Sequence, residues 1–197
     1  MPDNHYENPK LAKLYDLDSP WSIDRDFYLS LGCGTGLLCD AYAARNHSVT
    51  GVDPSSAMLD VARKKPQGNE IEWVQSSAQD YRSEKRFDLI VMTGHAFQVL
   101  LDDSDVDATL SVMREHVKPA GSIVFESRNP SIDWSRKWNY QMLLQLPGSQ
   151  VYESRRFIRM ENERMTFELE YQFADETLVS HSELRFLSRN AIEERLT

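Results

Sequence analysis

Gly32-Cys33-Gly34-Thr35-Gly36 places three glycines within five positions, directly after an apolar stretch and directly before a helical pattern. Glycines let a backbone pass close to a ligand, and the N–H groups that open a helix face polar or anionic groups. Asp53 follows Gly36 by 17 residues at the end of a β-like run, where a carboxylate accepts two hydrogen bonds from a ribose diol. Glycine loop and carboxylate together predict an adenosine-type ligand across the carboxyl ends of the first strands. A dinucleotide fingerprint reads Gly-x-Gly-x-x-Gly, whereas the third glycine here comes one residue too early and Leu37 takes its place, which disfavours NAD.

The elements that must position these residues follow from periodicity. Residues 27–31 are apolar enough for a strand into the loop, and 37–45 read as a helix. Residues 48–52 read as a strand, and Ser55 is placed to cap a helix through Lys65 that buries Met58, Val61 and Ala62. Residues 71–75 and 87–92 are two further β-rich runs. Val106, Leu110, Met113 and Val117 recur on one helical face, with Asp103 or Ser104 as cap and Pro119-Ala120-Gly121 as stop, before a fifth strand at 122–126. This alternation predicts an α/β fold, a doubly wound, mostly parallel Rossmann-like sheet with helices on both faces. A loop rich in Trp134, Trp138 and Tyr140 then closes at Pro147-Gly148. Residues 151–160, 165–173 and 178–187 read as an antiparallel meander acting as a C-terminal lid, with Phe167, Leu169, Tyr171 and Phe173 on one face. The chain is read as one domain: an N-terminal lid segment at 1–26, a ligand-binding core at 27–130, and the aromatic loop with the meander at 131–188.

Leu31-Gly32-Cys33-Gly34-Thr35-Gly36 resembles the glycine motif of the class I S-adenosylmethionine-dependent methyltransferases. Gly51-Val52-Asp53-Pro54-Ser55 with Met58-Leu59 resembles the family's ribose-binding strand end and following helix. Phe87-Asp88-Leu89-Ile90 is similar to its fourth strand, and Val117-Lys118-Pro119-Ala120-Gly121 to the turn before its fifth. The resemblance covers residues 27–130 and implies methyl transfer from S-adenosylmethionine, with S-adenosylhomocysteine as product. It implies that Gly32, Cys33, Gly34, Thr35 and Gly36 flank the amino-acid end of the cofactor. Asp53, with Pro54 and Met58 beside it, would take the ribose, and Ser77 and Ala78 would edge the adenine. Thr93 and Gly94 would form the floor beneath the sulfonium, and Tyr15 would cover the cofactor from the N-terminal segment. His95, Phe97 and Arg128 would face the acceptor, with His95 as the catalytic base if one is used.

The chain departs from the family pattern at two positions and in two segments. Ser30 stands where an acidic residue usually precedes the first glycine by two, and Ser77 stands where Asp often contacts adenine. Part of the first strand is expected to be deleted, with residues 27–31 serving in its place, and the chain is expected to stop before two final antiparallel strands. These departures define the alternative expectation: a shortened, catalytically silent homologue serving as a binding or assembly module, its sheet edges covered in a homodimer.

Composition bounds the partners. The formal net charge of −9 opposes broad phosphate-driven binding of nucleic acid, so a small-molecule acceptor is expected. The longest aliphatic run, 89–92, is too short for a membrane span, and the polar first ten residues lack a secretory h-region, so a cytoplasmic location is the default. Cys33 and Cys39 read as reduced, buried thiols, and no Cys or His spacing resembles a metal site.

Overall fold

The computed structural model describes residues 4–18 and 31–196, with side chains from Tyr6 to Leu14 in the first stretch. Two helices open the chain, α1 (Asn4–Glu7) and α2 (Pro9–Asp18). The glycine loop leads into α3 (Leu37–Ala43), followed by β1 (Thr50–Asp53), α4 (Ser56–Ala62), β2 (Glu72–Gln75) and β3 (Phe87–Met92). A short 3-10 helix, Ala96–Val99, connects to α5 (Asp103–His116) and β4 (Val117–Phe125). Then come α6 (Trp134–Lys137), the strands β5 (Tyr140–Leu146), β6 (Ser149–Glu161), β7 (Arg164–Gln172) and β8 (Thr177–Arg185), and α7 (Arg189–Leu196).

β1 pairs with β2 and β3 with β4, all parallel. Leu31 joins the two pairs: it bridges Val52 of β1 in parallel, and its N–H donates to the Val91 carbonyl of β3. The order is therefore β2-β1-Leu31-β3-β4, with Leu31, directly before the glycine loop, at the centre. Residues 27–30 of the strand expected before that loop lie outside the described residues. The carboxyl ends of the strands open on one side, and the loops that follow them build the site.

α3 packs with Val49, Leu59 and Ile71 in one apolar cluster, while α5 and the Ala191–Ile192 face of α7 pack with Leu31, Val52, Ile90 and Met92 in another. Ser55 caps α4 as the sequence predicts, its hydroxyl oxygen accepting from the Met58 N–H at 3.2 Å, an arrangement that contributes about 1 kcal/mol. α4 itself ends at Ala62, three residues short of the predicted Lys65.

Two expectations around α5 are corrected. The residue that opens the helix is Asp102, and no side chain caps it, because the Asp102 carboxylate accepts from Arg164 at 2.7 Å instead. Val117 is not on the helix face. It adopts extended backbone and begins β4 opposite Phe87, because Pro119 has no N–H and cannot continue a helical ladder.

The C-terminal sheet has four antiparallel strands in the order β5-β6-β7-β8, so the expected aromatic loop contains a strand that the sequence reading passed over. The Pro147-Gly148 turn, with Gly148 at φ 82°, joins β5 to β6, and Asn162 and Glu163, both at positive φ, form the hairpin turn from β6 to β7. Phe167, Leu169 and Tyr171 are buried as the period-two reading requires, packed with Trp138, Leu144, Val151 and Phe186. Leu11 and Leu14 of α2 complete that cluster, while Ala12, next to Leu11, packs on Ala57 and Met58 of α4. α2 thus touches both halves of the molecule. Its Lys10 pairs with Glu176 in the β7–β8 turn.

Candidate functional site

Gly32, Gly34 and Gly36 all have positive φ, at 70°, 51° and 73°. The loop is drawn over β1 by hydrogen bonds from the Gly32 and Cys33 N–H groups to the Val52 carbonyl at 2.9 and 3.0 Å. It is also closely fitted. A Cβ on Gly32 would stand 2.7 Å from the Ala96 Cβ, and one on Gly36 would stand 2.4 Å from the Trp73 ring. Trp73 is held by its indole N–H donating to the Gly68 carbonyl at 2.8 Å, and it lies equally close to Gly51. Sequence reasoning did not single out Trp73. The signal was a large aromatic one strand away from two glycines that leave room for it.

Asp53 ends β1 and turns its carboxylate back toward the loop. One oxygen accepts from the Gly34 N–H at 2.8 Å, the other from the Ser55 N–H at 2.9 Å. The residue is only 8% exposed. Burial raises its pKa above the ordinary carboxylate range, the two backbone donors oppose that shift, and the nearby Glu7 carboxylate adds to it. Each carboxylate oxygen has a second lone pair, so the group can hold the loop and still accept from a diol. Pro54 beside it is exposed and Met58 is fully buried in the α2–α4 contact. The Ser55 hydroxyl donates to the Tyr6 carbonyl at 2.7 Å, which brings the N-terminal helices to the rim of the loop.

Cys33 and Thr35 are buried inside the loop. Burial, together with contact with Cys39, pushes the Cys33 thiol well up, so Cys33 fills space and does not act as a thiolate; both cysteines are free. After β2, Ser77 is half-buried and donates to the Asp80 carboxylate at 2.6 Å, while Ala78 is buried. The expected contact from the Tyr15 side chain lies outside the described residues.

The loop after β3 carries Thr93, Gly94 and His95 to the same opening. Gly94 and His95 are successive left-handed residues, at φ 64° and 62°. For a non-glycine residue this conformation costs about 1–2 kcal/mol and collects at functional sites. It is held by the His95 N–H donating to the Glu126 carboxylate at 3.2 Å, just past β4. The His95 Nδ1 is closed off from solvent and has no hydrogen-bond partner among the described residues; Glu126 lies 3.7 Å away. Burial, reinforced by the Arg128 and Arg155 charges and only partly offset by Glu126, lowers the His95 pKa to about 4. The imidazole is neutral at pH 7 and can accept a proton.

Phe97 is placed in the core, 2% exposed and stacked on Phe125 with ring centroids 4.5 Å apart, where it supports the loop from below. Arg128 is half-buried against the aromatic segment. Its guanidinium lies 4.8 Å from the Trp138 ring centroid and 5.7 Å from that of Trp134. From the antiparallel sheet Arg155 lies over Tyr140 at 4.6 Å and Trp138 at 5.4 Å, and the Tyr140 hydroxyl donates to the buried Glu153 carboxylate at 2.6 Å. Glu126, Trp138, Tyr140, Glu153 and Arg155 were not picked from the sequence, since nothing in their spacing brings two sheets together. Among the described residues no group of three or more His, Cys, Asp or Glu side chains could hold a metal ion, and no helix is long and apolar enough to cross a membrane.

Comparisons with known proteins bear on the family and the fold. Residues 29–121 match the family described as "Methyltransferase domain". A cypemycin N-terminal methyltransferase from a Streptomyces species is 29% identical over 55% of this chain and 44% of its own length. A ubiquinone biosynthesis O-methyltransferase from Saccharophagus degradans is 28% identical over 79% of this chain and 66% of its own. The chain thus spans about half to two thirds of the curated relatives it matches. Among solved structures, an S-adenosylmethionine-dependent methyltransferase from Clostridium acetobutylicum superposes with a TM-score of 0.75 at 19% identity, covering 95% of this chain and 85% of that one. A sugar N-methyltransferase from a Streptoalloteichus species does so with a TM-score of 0.76 at 16% identity, covering 97% and 76%.

Proposed function

We propose that this chain, whose residues 29–121 match a methyltransferase-domain family, is a class I S-adenosylmethionine-dependent methyltransferase that transfers a methyl group to a nitrogen or oxygen of a small-molecule acceptor. One observation carries the reading: the buried Asp53 carboxylate, tied to the Gly34 N–H, stands where the ribose diol of an adenosine ligand would meet the glycine loop. The left-handed glycines and the lack of room for a Cβ fit a backbone shaped to a ligand.

Gly32, Cys33, Gly34, Thr35 and Gly36 would hold the amino-acid end of the cofactor, Asp53 its ribose hydroxyls beside Pro54 and Met58, and Ser77 and Ala78 its adenine. Thr93 and Gly94 would floor the reacting centre, with Tyr15 and the N-terminal helices closing over it. When bound, S-adenosylmethionine supplies a methyl group already activated on a sulfonium. The protein therefore has to orient the acceptor and exclude water, and needs no nucleophile of its own. His95, neutral at pH 7, would accept a hydrogen bond from an acceptor N–H or O–H and take its proton only as a weak base, its pKa lying near 4, while Arg128, stacked on Trp138, would orient the acceptor. Residues 1–26 and 131–188 would serve as the cover of a single domain whose core is 27–130. The O- and N-methyltransferases among the relatives support either acceptor atom.

Calorimetric titration with S-adenosylmethionine and S-adenosylhomocysteine tests the cofactor site. Micromolar binding by the whole chain and at least a tenfold loss in Asp53→Ala are expected, since an interaction of more than about 1.4 kcal/mol is removed. Equal affinity in the variant would remove Asp53 from the site, and absence of binding by the folded chain would overturn the reading.

A further inference from the structure

Gln98 lies 0% exposed in the 3-10 helix three residues after His95. An amide in the core costs free energy unless both its ends are paired, and Leu or Met would fill the same space without that cost. Its two ends are used. The Oε1 accepts from Arg128 Nη1 at 3.0 Å and from the Arg128 backbone N–H at 3.4 Å, while the Nε2 donates to the Arg185 carbonyl at the end of β8 at 3.1 Å. Only this orientation of the amide satisfies both neighbours, since a guanidinium offers donors alone and a carbonyl accepts alone. The Gln98 N–H also donates to the His95 carbonyl at 2.9 Å, so side chain and backbone of one residue bind both Arg128 and His95.

We propose that Gln98 is a positioning residue for methyl transfer, holding the Arg128 guanidinium and the His95 loop at a fixed separation so that the acceptor meets both in one geometry. The proposal rests on the reading that His95 and Arg128 face the acceptor. Gln98 touches neither cofactor nor acceptor; it acts through Arg128. Its removal takes away two of the hydrogen bonds that fix Arg128, so the guanidinium shifts relative to His95 and the charge environment of the imidazole changes with it. The charged groups around His95 are Glu126 and Arg128 on the segment after β4 and Arg155 on β6.

The test is an NMR titration of the His95 ring in the S-adenosylhomocysteine-loaded protein, for the parent chain, Gln98→Met, Arg128→Met and the double variant. In the parent His95 titrates near 4. In Gln98→Met it moves upward toward the ordinary 6.5, and in Arg128→Met it moves upward as well. The double variant matches Arg128→Met alone, because Gln98 has nothing left to position. S-adenosylhomocysteine affinity stays the same in all four chains. A Gln98→Met chain whose His95 titrates as in the parent overturns the proposal, as do two shifts that simply add. If Gln98→Met does not fold, Gln98→Glu retains an acceptor oxygen for Arg128, and its Arg128 Nη–H and backbone N–H exchange as slowly as in the parent; fast exchange there overturns the proposal too. A His95 resonance that ignores S-adenosylhomocysteine altogether would overturn the underlying placement of His95, an outcome separable from a failure of Gln98.

Discussion

A methyl group added to Gly36 would stand 2.4 Å from the Trp73 ring on a backbone with φ of +73°, whereas one added to Gly148, at φ +82°, would meet nothing within 4 Å. The two positions separate conformational cost from steric cost. Gly148→Ala should lose about 1–2 kcal/mol, the left-handed penalty of a Cβ. Gly36→Ala should lose about 2–5 kcal/mol, because overpacking adds about 1–3 kcal/mol to the same penalty. Urea unfolding of the two variants measures both, and equal losses would contradict the close fit of the loop. At this scale the sequence was informative where a residue's chemistry is local. Gly32, Gly34, Gly36 and Asp53 stand where their spacing put them, because loop and carboxylate belong to adjacent strands. Trp73, Gln98 and Glu126 were illegible, since each acts on a neighbour 22 to 37 residues away, and Phe97 reads as a pocket aromatic until its partner Phe125 is known.

Between elements, the N-terminus of α5 is gripped by arginines from three directions. Arg164 of β7 donates to Asp102 and to the Leu101 carbonyl, while Arg185 of β8 and Arg195 of α7 both meet Asp103, at 2.7 and 2.6 Å. The Asp103 carboxyl lies below its usual range, first through its hydrogen bond to Arg185 and then through the surrounding guanidinium charges. A carboxyl lowered by folding contributes stability above the ordinary carboxylate pKa, and that contribution is lost as the pH falls through the lowered value. Asp103→Asn should therefore speed amide exchange at residues 161–164 at neutral pH and leave β3 unaffected. The difference from the parent should shrink in acid and in high salt, which screens exposed charge. Unchanged exchange in the hairpin would mean that the contact does not hold it. β5 shows why elements were partly hidden. Tyr140, Met142, Leu144 and Leu146 do alternate, but Leu143 on the other face is 40% exposed and apolar, and the flanking tryptophans made the stretch resemble a loop.

For the molecule as a unit, the cofactor site proposed above would gather the ends of β1, β2, β3 and β4, and α2 ties that side to the antiparallel sheet. A ligand bound there and absent from the unfolded chain should stabilise all of it together. At free S-adenosylhomocysteine 100-fold above its Kd the gain is about 2.7 kcal/mol, read as a single thermal transition moved upward, and Asp53→Ala, binding at least tenfold more weakly, should gain no more than about 1.4 kcal/mol at the same concentration. Separate melting of the two sheets, with only one responding, would contradict a single unit. The α/β alternation was legible because parallel strands and helices obey local periods. The joining of the two sheets was not, because α2 makes that contact through residues far apart in the chain.

That distance has a meaning in time. Lys10 and Glu176 are separated by 166 residues, so α2, although it meets α4 early, cannot complete its seat until the β7–β8 turn exists. Long closures of this kind are slow, and as the chain grows from its N-terminus the parallel core is complete long before the sheet that receives Leu11 and Leu14. A helix made early has its packing completed late.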